Sequence, residues 1–207
     1  SEQGAQWPFA KWTLYEAGVR SAMIAWMPGK IQARTASNAL VEYQDVLPTF
    51  IEMAGGNPPD QLDGNSLLPI FRDPSSTIKE YSFSLQTTRG IFFGSDHFGI
   101  RAEVNDEYRY IWDSGTAWYK SWVALTENNP RAKELINSYK HRPGEEELYH
   151  IKRDKWCQKN LANDPIHAQV KEKLRAALLK WMEANGDSGQ ATEMMALERM
   201  WKNRKDK

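Results

Sequence analysis

The pattern of apolar positions predicts a buried strand near the N-terminus. Residues 21–27 (SAMIAWM) are almost continuously apolar, and Pro28 and Gly29 close the run. Such a run is typical of a strand that is buried on both faces, as in a mostly parallel sheet. We therefore expect a strand here that belongs to an α/β layer.

A helical period follows at residues 45–54. Asp45 stands at the predicted N-cap, Pro48 falls in the first turn, and Gly55 follows the last turn. One face of this helix is apolar and is expected to be buried; it carries Leu47, Phe50, Ile51 and Ala54. The first 55 residues are thus expected to form the last strand and helix of an α/β layer.

After a connector rich in Pro, Gly and Asn at residues 57–66, the pattern changes to short apolar runs. Hairpin-type turn residues at 94–96 and 105–106 separate some of these runs. The predicted strands are residues 81–86, 90–93, 99–104, 108–112 and 147–151. This pattern is typical of a small antiparallel sheet.

Two helices are predicted at the C-terminal end. Residues 166–183 keep a helical period, and Asp164 and Pro165 provide the cap and first-turn residue. The expected buried face carries Ile166, Val170, Leu174, Leu178 and Trp181. Residues 190–204 show a second, shorter helical pattern.

Charge and composition narrow the class of protein. Lys and Arg total 27 and Asp and Glu total 27, so the formal net charge is zero. This balance argues against a nucleic-acid partner, which requires a concentrated basic surface. No apolar run approaches the ~18 residues of a membrane span. The single cysteine, Cys157, excludes an internal disulfide and is expected to be a spectator thiol.

Three residues near the N-terminus suggest an anion site. Glu2 and Gln3 carry adjacent oxygen donors of the kind that calcium binds. Lys11 follows after a short aromatic loop and could place its ammonium against an anion held by that metal. Taken alone, the three residues are better explained by an ordinary surface loop, because a Glu, a Gln and a Lys occur by chance in almost any such loop.

The surrounding sequence supports the anion-site hypothesis, because four blocks, in the same order as in the sulfatase family, resemble that family. These blocks are KWTLYEAGVRSAMIAWMPGKI (11–31), VEYQDVLPTFIEMAGG (41–56), LDGNSLLPIF (62–71) and ELYHIKRDKWCQKNLANDP (147–165). The resemblance covers residues 1 to about 185. The QTTRGI block (86–91) and the insert before residue 147 are most similar to the N-sulfoglucosamine sulfohydrolase (heparan sulfamidase) branch.

The resemblance implies a fold and two domains. It implies an α/β, alkaline-phosphatase-like sulfatase fragment. Residues 1–72 would form the C-terminal end of the catalytic α/β domain. Residues 73–207 would form a C-terminal subdomain with a four-stranded antiparallel sheet and C-terminal helices.

The implied activity is hydrolysis of sulfate esters or sulfamates of a carbohydrate, including one derived from a glycosaminoglycan. Glu2 and Gln3 would be calcium ligands, and Lys11 would contact the sulfate. Substrate-binding positions are expected at Gln86, Thr88, Arg89 and His97, although Arg89 could instead pair with an acid across the sheet and His97 could cap a hairpin. For Arg101 we expect a structural role.

One element of the family pattern is absent from these 207 residues. The family nucleophile is a formylglycine made from a Cys/Ser-x-Pro-x-Arg motif, and Cys157 is followed by Gln-Lys-Asn. This chain alone is therefore expected to be inactive, with the N-terminal catalytic segment as its partner. A periplasmic, secreted or lysosomal location is expected, with its signal upstream. The alternatives are a phosphoric ester or diester hydrolase of the alkaline phosphatase superfamily, and a non-catalytic sugar-binding or structural module.

Overall fold

The computed structural model describes residues 10–11, 13–86, 99–113, 128–131, 133–134 and 144–199. The helices within these residues are α1 (Glu16–Val19), α2 (Val46–Met53), α3 (Leu68–Arg72), α4 (Ala168–Ala184) and α5 (Gln190–Arg199). The strands are β1 (Ser82–Gln86), β2 (Ile100–Val104), β3 (Tyr108–Asp113) and β4 (Glu146–His150).

The four strands form one sheet in the order β1-β2-β3-β4. β3 and β4 are antiparallel, and Tyr110 is paired with Leu148 in their register. Four of the predicted strands and the predicted turn at residues 105–106 are thus confirmed. The strand predicted at 90–93 and the turn predicted at 94–96 lie outside the described residues.

Both faces of the β3–β4 pair are buried, but by different parts of the chain. On one face, Tyr149 and Ile111 pack with Leu14 and Tyr15 from the N-terminal segment. On the other face, Tyr110 donates a hydrogen bond of 2.6 Å to Glu146, and α4 contacts β3. A sheet covered on both sides explains why β4 is buried almost throughout although it contains two glutamates.

Helix α4 begins and packs largely as its sequence predicts. The Asp164 side chain accepts a hydrogen bond of 3.0 Å from the Ile166 N–H, which caps the short 3₁₀ turn before the helix. The buried residues of α4 are Leu174, Leu178 and Met182, at a helical period. Ile166, expected on this face, is instead 86% exposed because the 3₁₀ turn precedes the regular period.

The residues separate into two compact units. The first, which we call the sheet unit, comprises Ser1–Ala22, Phe83–Glu103 and Glu107–Lys207. The second, which we call the α2 unit, comprises Met23–Ser82 and Val104–Asp106. The domain boundary expected between residues 72 and 73 stays a prediction.

The α2 unit is organised around the buried carboxylate of Asp45. Lys79 Nζ lies 2.8 Å from both Asp45 oxygens, and the N–H groups of Glu42 and Asn65 also donate to them. Asp45 stands directly before α2, as predicted, but its side chain does not cap that helix. It caps the preceding 3₁₀ turn with Glu42 instead.

Thr49 and Gly64 join two of the sulfatase-like sequence blocks within the α2 unit. The Thr49 hydroxyl accepts a hydrogen bond of 2.8 Å from the Leu67 N–H. Gly64 lies so close to the preceding block that a β-carbon would stand 2.8 Å from Asp45 N and closer still to the Gln44 carbonyl. The blocks at residues 41–56 and 62–71 are therefore packed against each other. Asp45 and Thr49 have structural roles in this contact.

The apolar residues of the α2 unit are arranged differently from the prediction. The structure has no strand at residues 21–27, and the side chains of Ile24 and Trp26 are 92% and 83% exposed. The apolar face of α2 also points outward, with Phe50 62% exposed. The sequence correctly marks these positions as apolar, but a strand needs a neighbouring strand to pair with, and the described strands β1 to β4 pair only with one another.

Within the described part of the chain, every helix is too short or too polar to span a bilayer.

Candidate functional site

Lys11 lies in a tight turn of the sheet unit. The carbonyl oxygen of Ala10 accepts hydrogen bonds from the Thr13 N–H (3.1 Å) and from the Thr13 hydroxyl (2.6 Å). Lys11 itself is partly buried. A lysine in a turn closed by two hydrogen bonds is held more rigidly than one in an open loop.

Helix α1 packs directly against this turn. The N–H groups of Gly18 and Val19 donate to the Tyr15 carbonyl at 2.8 Å and 3.1 Å. A β-carbon on Gly18 would lie 2.5 Å from the Ala10 carbonyl oxygen and closer still to that of Thr13. Gly18 therefore allows the chain to fold back onto the Lys11 turn.

Tyr15 connects this segment to β4. Its hydroxyl lies 2.8 Å and 3.2 Å from the two carboxylate oxygens of Glu147, and the Tyr149 hydroxyl donates to the same carboxylate. Glu147 is 1% exposed. Burial, together with the nearby Glu147 charge, raises the pKa of Tyr15 well above its ordinary value and also raises that of Tyr149. Both hydroxyls therefore remain protonated donors at neutral pH.

A second connection runs through Arg109 on β3. Its guanidinium lies 2.7 Å from a carboxylate oxygen of Glu16 and donates to the Leu14 carbonyl at 3.3 Å. Both Arg109 and Glu16 are buried in the described structure. The segment after Lys11 is thus attached to the sheet by two buried charged groups, one on β3 and one on β4.

A cavity of about 10 Å³ lies between this segment and the sheet. Its lining includes Tyr15, Gln86 and Glu147. The Gln86 side-chain oxygen is buried and has no hydrogen-bond partner in the described part of the chain. A space of this volume holds about one water molecule. The structure therefore brings Gln86 close to the Lys11 segment, at a space too small for a sugar.

The remaining predicted site residues lie outside the described residues. They are Glu2, Gln3, Thr88, Arg89 and His97. Among the residues that the structure does describe, no group of three or more His, Cys, Asp and Glu side chains is arranged to hold a metal ion. Calcium binding by Glu2 and Gln3 stays a prediction.

Two structural expectations are confirmed. Arg101 is buried and forms ion pairs with Asp187 (2.5 Å) and Glu193 (2.9 Å). Cys157 is buried, and desolvation raises the pKa of its thiol to about 12. A thiol with this pKa is almost entirely protonated at neutral pH, which makes it a poor nucleophile.

Sequence reasoning missed the anchoring roles of Glu147, Tyr15 and Arg109. A signal was present, because Glu147 and Tyr149 are two residues apart and therefore point to the same face of β4. Polar residues at alternate positions of a strand normally indicate an exposed face. Here the N-terminal segment covers that face, which the local pattern does not reveal.

Comparison with known proteins identifies the family. Residues 4–119 match the family described as N-sulphoglucosamine sulphohydrolase, C-terminal. An ulvan-active sulfatase of Formosa agariphila is 33% identical over 184 residues, which are 86% of this chain and 36% of that protein. An N-acetylgalactosamine-6-sulfatase of Mus musculus is 40% identical over 131 residues, covering 61% of this chain and 22% of that protein. The chain belongs to the sulfatase family and corresponds to a C-terminal portion of it.

Solved structures support the same fold. A protein solved in complex with its substrate D-glucosamine-2-N,6-O-disulfate has a TM-score of 0.61 at 18% identity, covering 83% of this chain and 30% of that chain. The sulfatase fold class predicted from the sequence is thereby confirmed. The chain spans just over a third of the length of the first curated relatives that it matches.

Proposed function

We propose that this chain is part of a sulfatase that hydrolyses sulfate esters or sulfamates of a carbohydrate. The observation that carries the proposal is the match to an ulvan-active sulfatase over 86% of the chain. The fold neighbour with a bound glucosamine disulfate supports a sulfated sugar, including one from a glycosaminoglycan, as the substrate class. A periplasmic, secreted or lysosomal location is part of the same proposal.

In this proposal Lys11 contacts the sulfate. Its ammonium would offset negative charge on the sulfuryl oxygens as charge moves onto the leaving group. The hydrogen-bonded turn supports this role, because a preorganised charge loses little free energy to reorganisation during the reaction. Thr88, Arg89 and His97 are proposed to contribute to the substrate pocket, and Gln86 to its supporting wall.

Calcium would be bound in part by Glu2 and Gln3, as carboxylate and amide oxygens suit this cation. It would supply positive charge that polarises the sulfuryl group. Two ligands do not complete a calcium shell, so the other ligands and the formylglycine nucleophile are proposed to come from residues outside this sequence. On this basis the 207-residue chain by itself is inactive.

The exposed apolar face of the α2 unit fits the same proposal. The first two curated relatives are about two and a half and nearly three times as long as this chain. We propose that the additional α/β portion of a sulfatase covers Ile24, Trp26 and Phe50. Phe50→Ala should therefore cost more stability in the complete gene product than in this chain.

Substitution of Lys11 in the complete gene product tests the proposed activity. Lys11→Ala should lower kcat/KM for a sulfated sugar by about 10²–10³-fold, because it removes a charge that stabilises the transition state. Circular dichroism and thermal unfolding should be unchanged. Lys30→Ala, at an exposed position of the α2 unit, is the matched control and should retain full activity.

A comparison of two substrates distinguishes a sulfatase from a phosphoric ester hydrolase. The sulfated sugar and the corresponding phosphate ester are assayed side by side. Faster turnover of the phosphate ester would favour a phosphoric ester hydrolase. Wild-type kinetics for Lys11→Ala would show that this lysine has no part in the reaction.

A further inference from the structure

We infer that Glu147 is a positioning residue for Lys11, and that it acts through the Tyr15 hydroxyl. This inference rests on the proposed function, in which Lys11 contacts the sulfate. It adds a group that lies in the sheet and 136 positions away in sequence from the lysine that it would orient.

The first step is the mechanical connection between Tyr15 and Lys11. Tyr15 lies four positions after Lys11. The turn that contains Lys11 is closed by the two hydrogen bonds from Thr13 to the Ala10 carbonyl. Gly18 packs on the carbonyl oxygens of both residues of that turn. Gly18 leaves no free space on its side of the turn, so a shift of Tyr15 towards that side is transmitted to the Lys11 backbone.

The second step is the strength of the anchor. The Glu147 carboxylate is buried in the sheet unit, where hydrogen bonds to a charged group are stronger than in water. It accepts hydrogen bonds from Tyr15 and from Tyr149. β4 is held in register by β3, so Glu147 provides a fixed point. Tyr15 is therefore the residue through which Glu147 would hold the N-terminal segment in place.

The third step separates positioning from general stability. Tyr110 donates to Glu146 at 2.6 Å, across the same pair of strands but on the opposite face of the sheet. The donor is the same, a buried tyrosine hydroxyl on a glutamate of β4, although Glu146 is more exposed than Glu147 and also pairs with Lys171 and Arg175. Only the Tyr15–Glu147 pair includes the segment that carries Lys11. Tyr110→Phe is thus a control matched to Tyr15→Phe.

Amide hydrogen exchange on the 207-residue chain tests the anchor without any assay of activity. Tyr15→Phe and Glu147→Ala should raise exchange at the amides of Thr13, Gly18 and Val19 by about tenfold, the order expected for a lost hydrogen bond to a charged group. Tyr110→Phe should leave these amides unchanged. Equal exchange at these amides in wild type and Tyr15→Phe would overturn the inference.

Kinetics of the complete gene product on a sulfated sugar provide the second readout. Tyr15→Phe should lower kcat by about tenfold with KM unchanged, because the lysine acts on charge that develops in the transition state. Glu147→Gln keeps an acceptor oxygen and should retain more of kcat than Glu147→Ala. Tyr110→Phe should keep wild-type kcat even where its melting temperature falls.

The two proposals fail in different ways. If Lys11→Ala abolishes turnover while Tyr15→Phe keeps wild-type kcat, the positioning role of Glu147 is overturned and the proposed function stands. If Lys11→Ala keeps wild-type turnover, the proposed role of Lys11 is wrong. The positioning role is then overturned with it, even where hydrogen exchange shows a tight anchor.

Discussion

The two units of this chain differ in how much of their apolar surface they bury. The sheet unit buries its apolar side chains and pairs its buried charges, as Arg101 does with Asp187 and Glu193. The α2 unit buries a polar network around Asp45 and exposes Trp26 and Phe50. The sheet unit therefore has a core that this chain completes. The α2 unit also buries Leu67 and Ile70, but it leaves much of its apolar surface exposed and relies on the hydrogen bonds and ion pairs around Asp45.

The largest expected effect comes from Arg101 in the sheet unit. Arg101→Met leaves the carboxylates of Asp187 and Glu193 without their buried cation, which should lower the free energy of unfolding by about 3–5 kcal/mol. Arg175→Met is the control, because its side chain is 46% exposed and its ion pairs should contribute at most about 1 kcal/mol. Urea unfolding followed by circular dichroism measures both. Equal losses in the two variants would contradict a specific role for the buried cluster.

One pair of apolar truncations, one in each unit, tests this difference in burial. Leu174→Ala removes a fully buried side chain from α4 and should cost about 2–5 kcal/mol. Phe50→Ala, on the exposed face of α2, should change the stability of this chain by no more than about 0.5 kcal/mol.

In the complete gene product, Phe50→Ala should instead cost about 3 kcal/mol, as for a buried aromatic side chain. A small cost there as well would show that nothing covers this face. A large cost already in the 207-residue chain would show that the face is buried by self-association, which sedimentation velocity would detect.

The smallest expected effect is a dependence of stability on acid. Burial alone would raise the pKa of Asp187, but hydrogen bonds from Arg101 and from the Gly189 N–H outweigh it and hold this pKa below its ordinary value. The stabilisation is therefore fully present above about pH 4, the ordinary pKa of Asp, and is lost as the pH falls from there through the lower pKa of the folded state. Urea midpoints between about pH 6 and pH 3 measure the loss. The slope should be shallower in Arg101→Met.

Local sequence was sufficient for much of the sheet unit. Strands β1 to β4 and helix α4 follow from alternation, turn residues and the Asp164 cap, all of which act over a few residues. The structural role of Arg101 was also expected, because it alternates into a strand. The sequence blocks around Lys11 and Asp45 are sufficient by themselves to indicate a sulfatase, and the known relatives confirm that family.

Other features required the tertiary structure. The Tyr15–Glu147 contact joins residues 132 positions apart, and no local period encodes such a distance. The run at residues 21–27 shows the opposite failure: its composition predicts a buried strand, but in the structure these residues are not part of a sheet and Ile24 and Trp26 are exposed. Sequence by itself determined which residues are apolar, where strands β1 to β4 and helices α2 and α4 form, and to which family the chain belongs. Only the tertiary structure decided which faces are covered, because burial depends on contacts between segments that are distant along the chain.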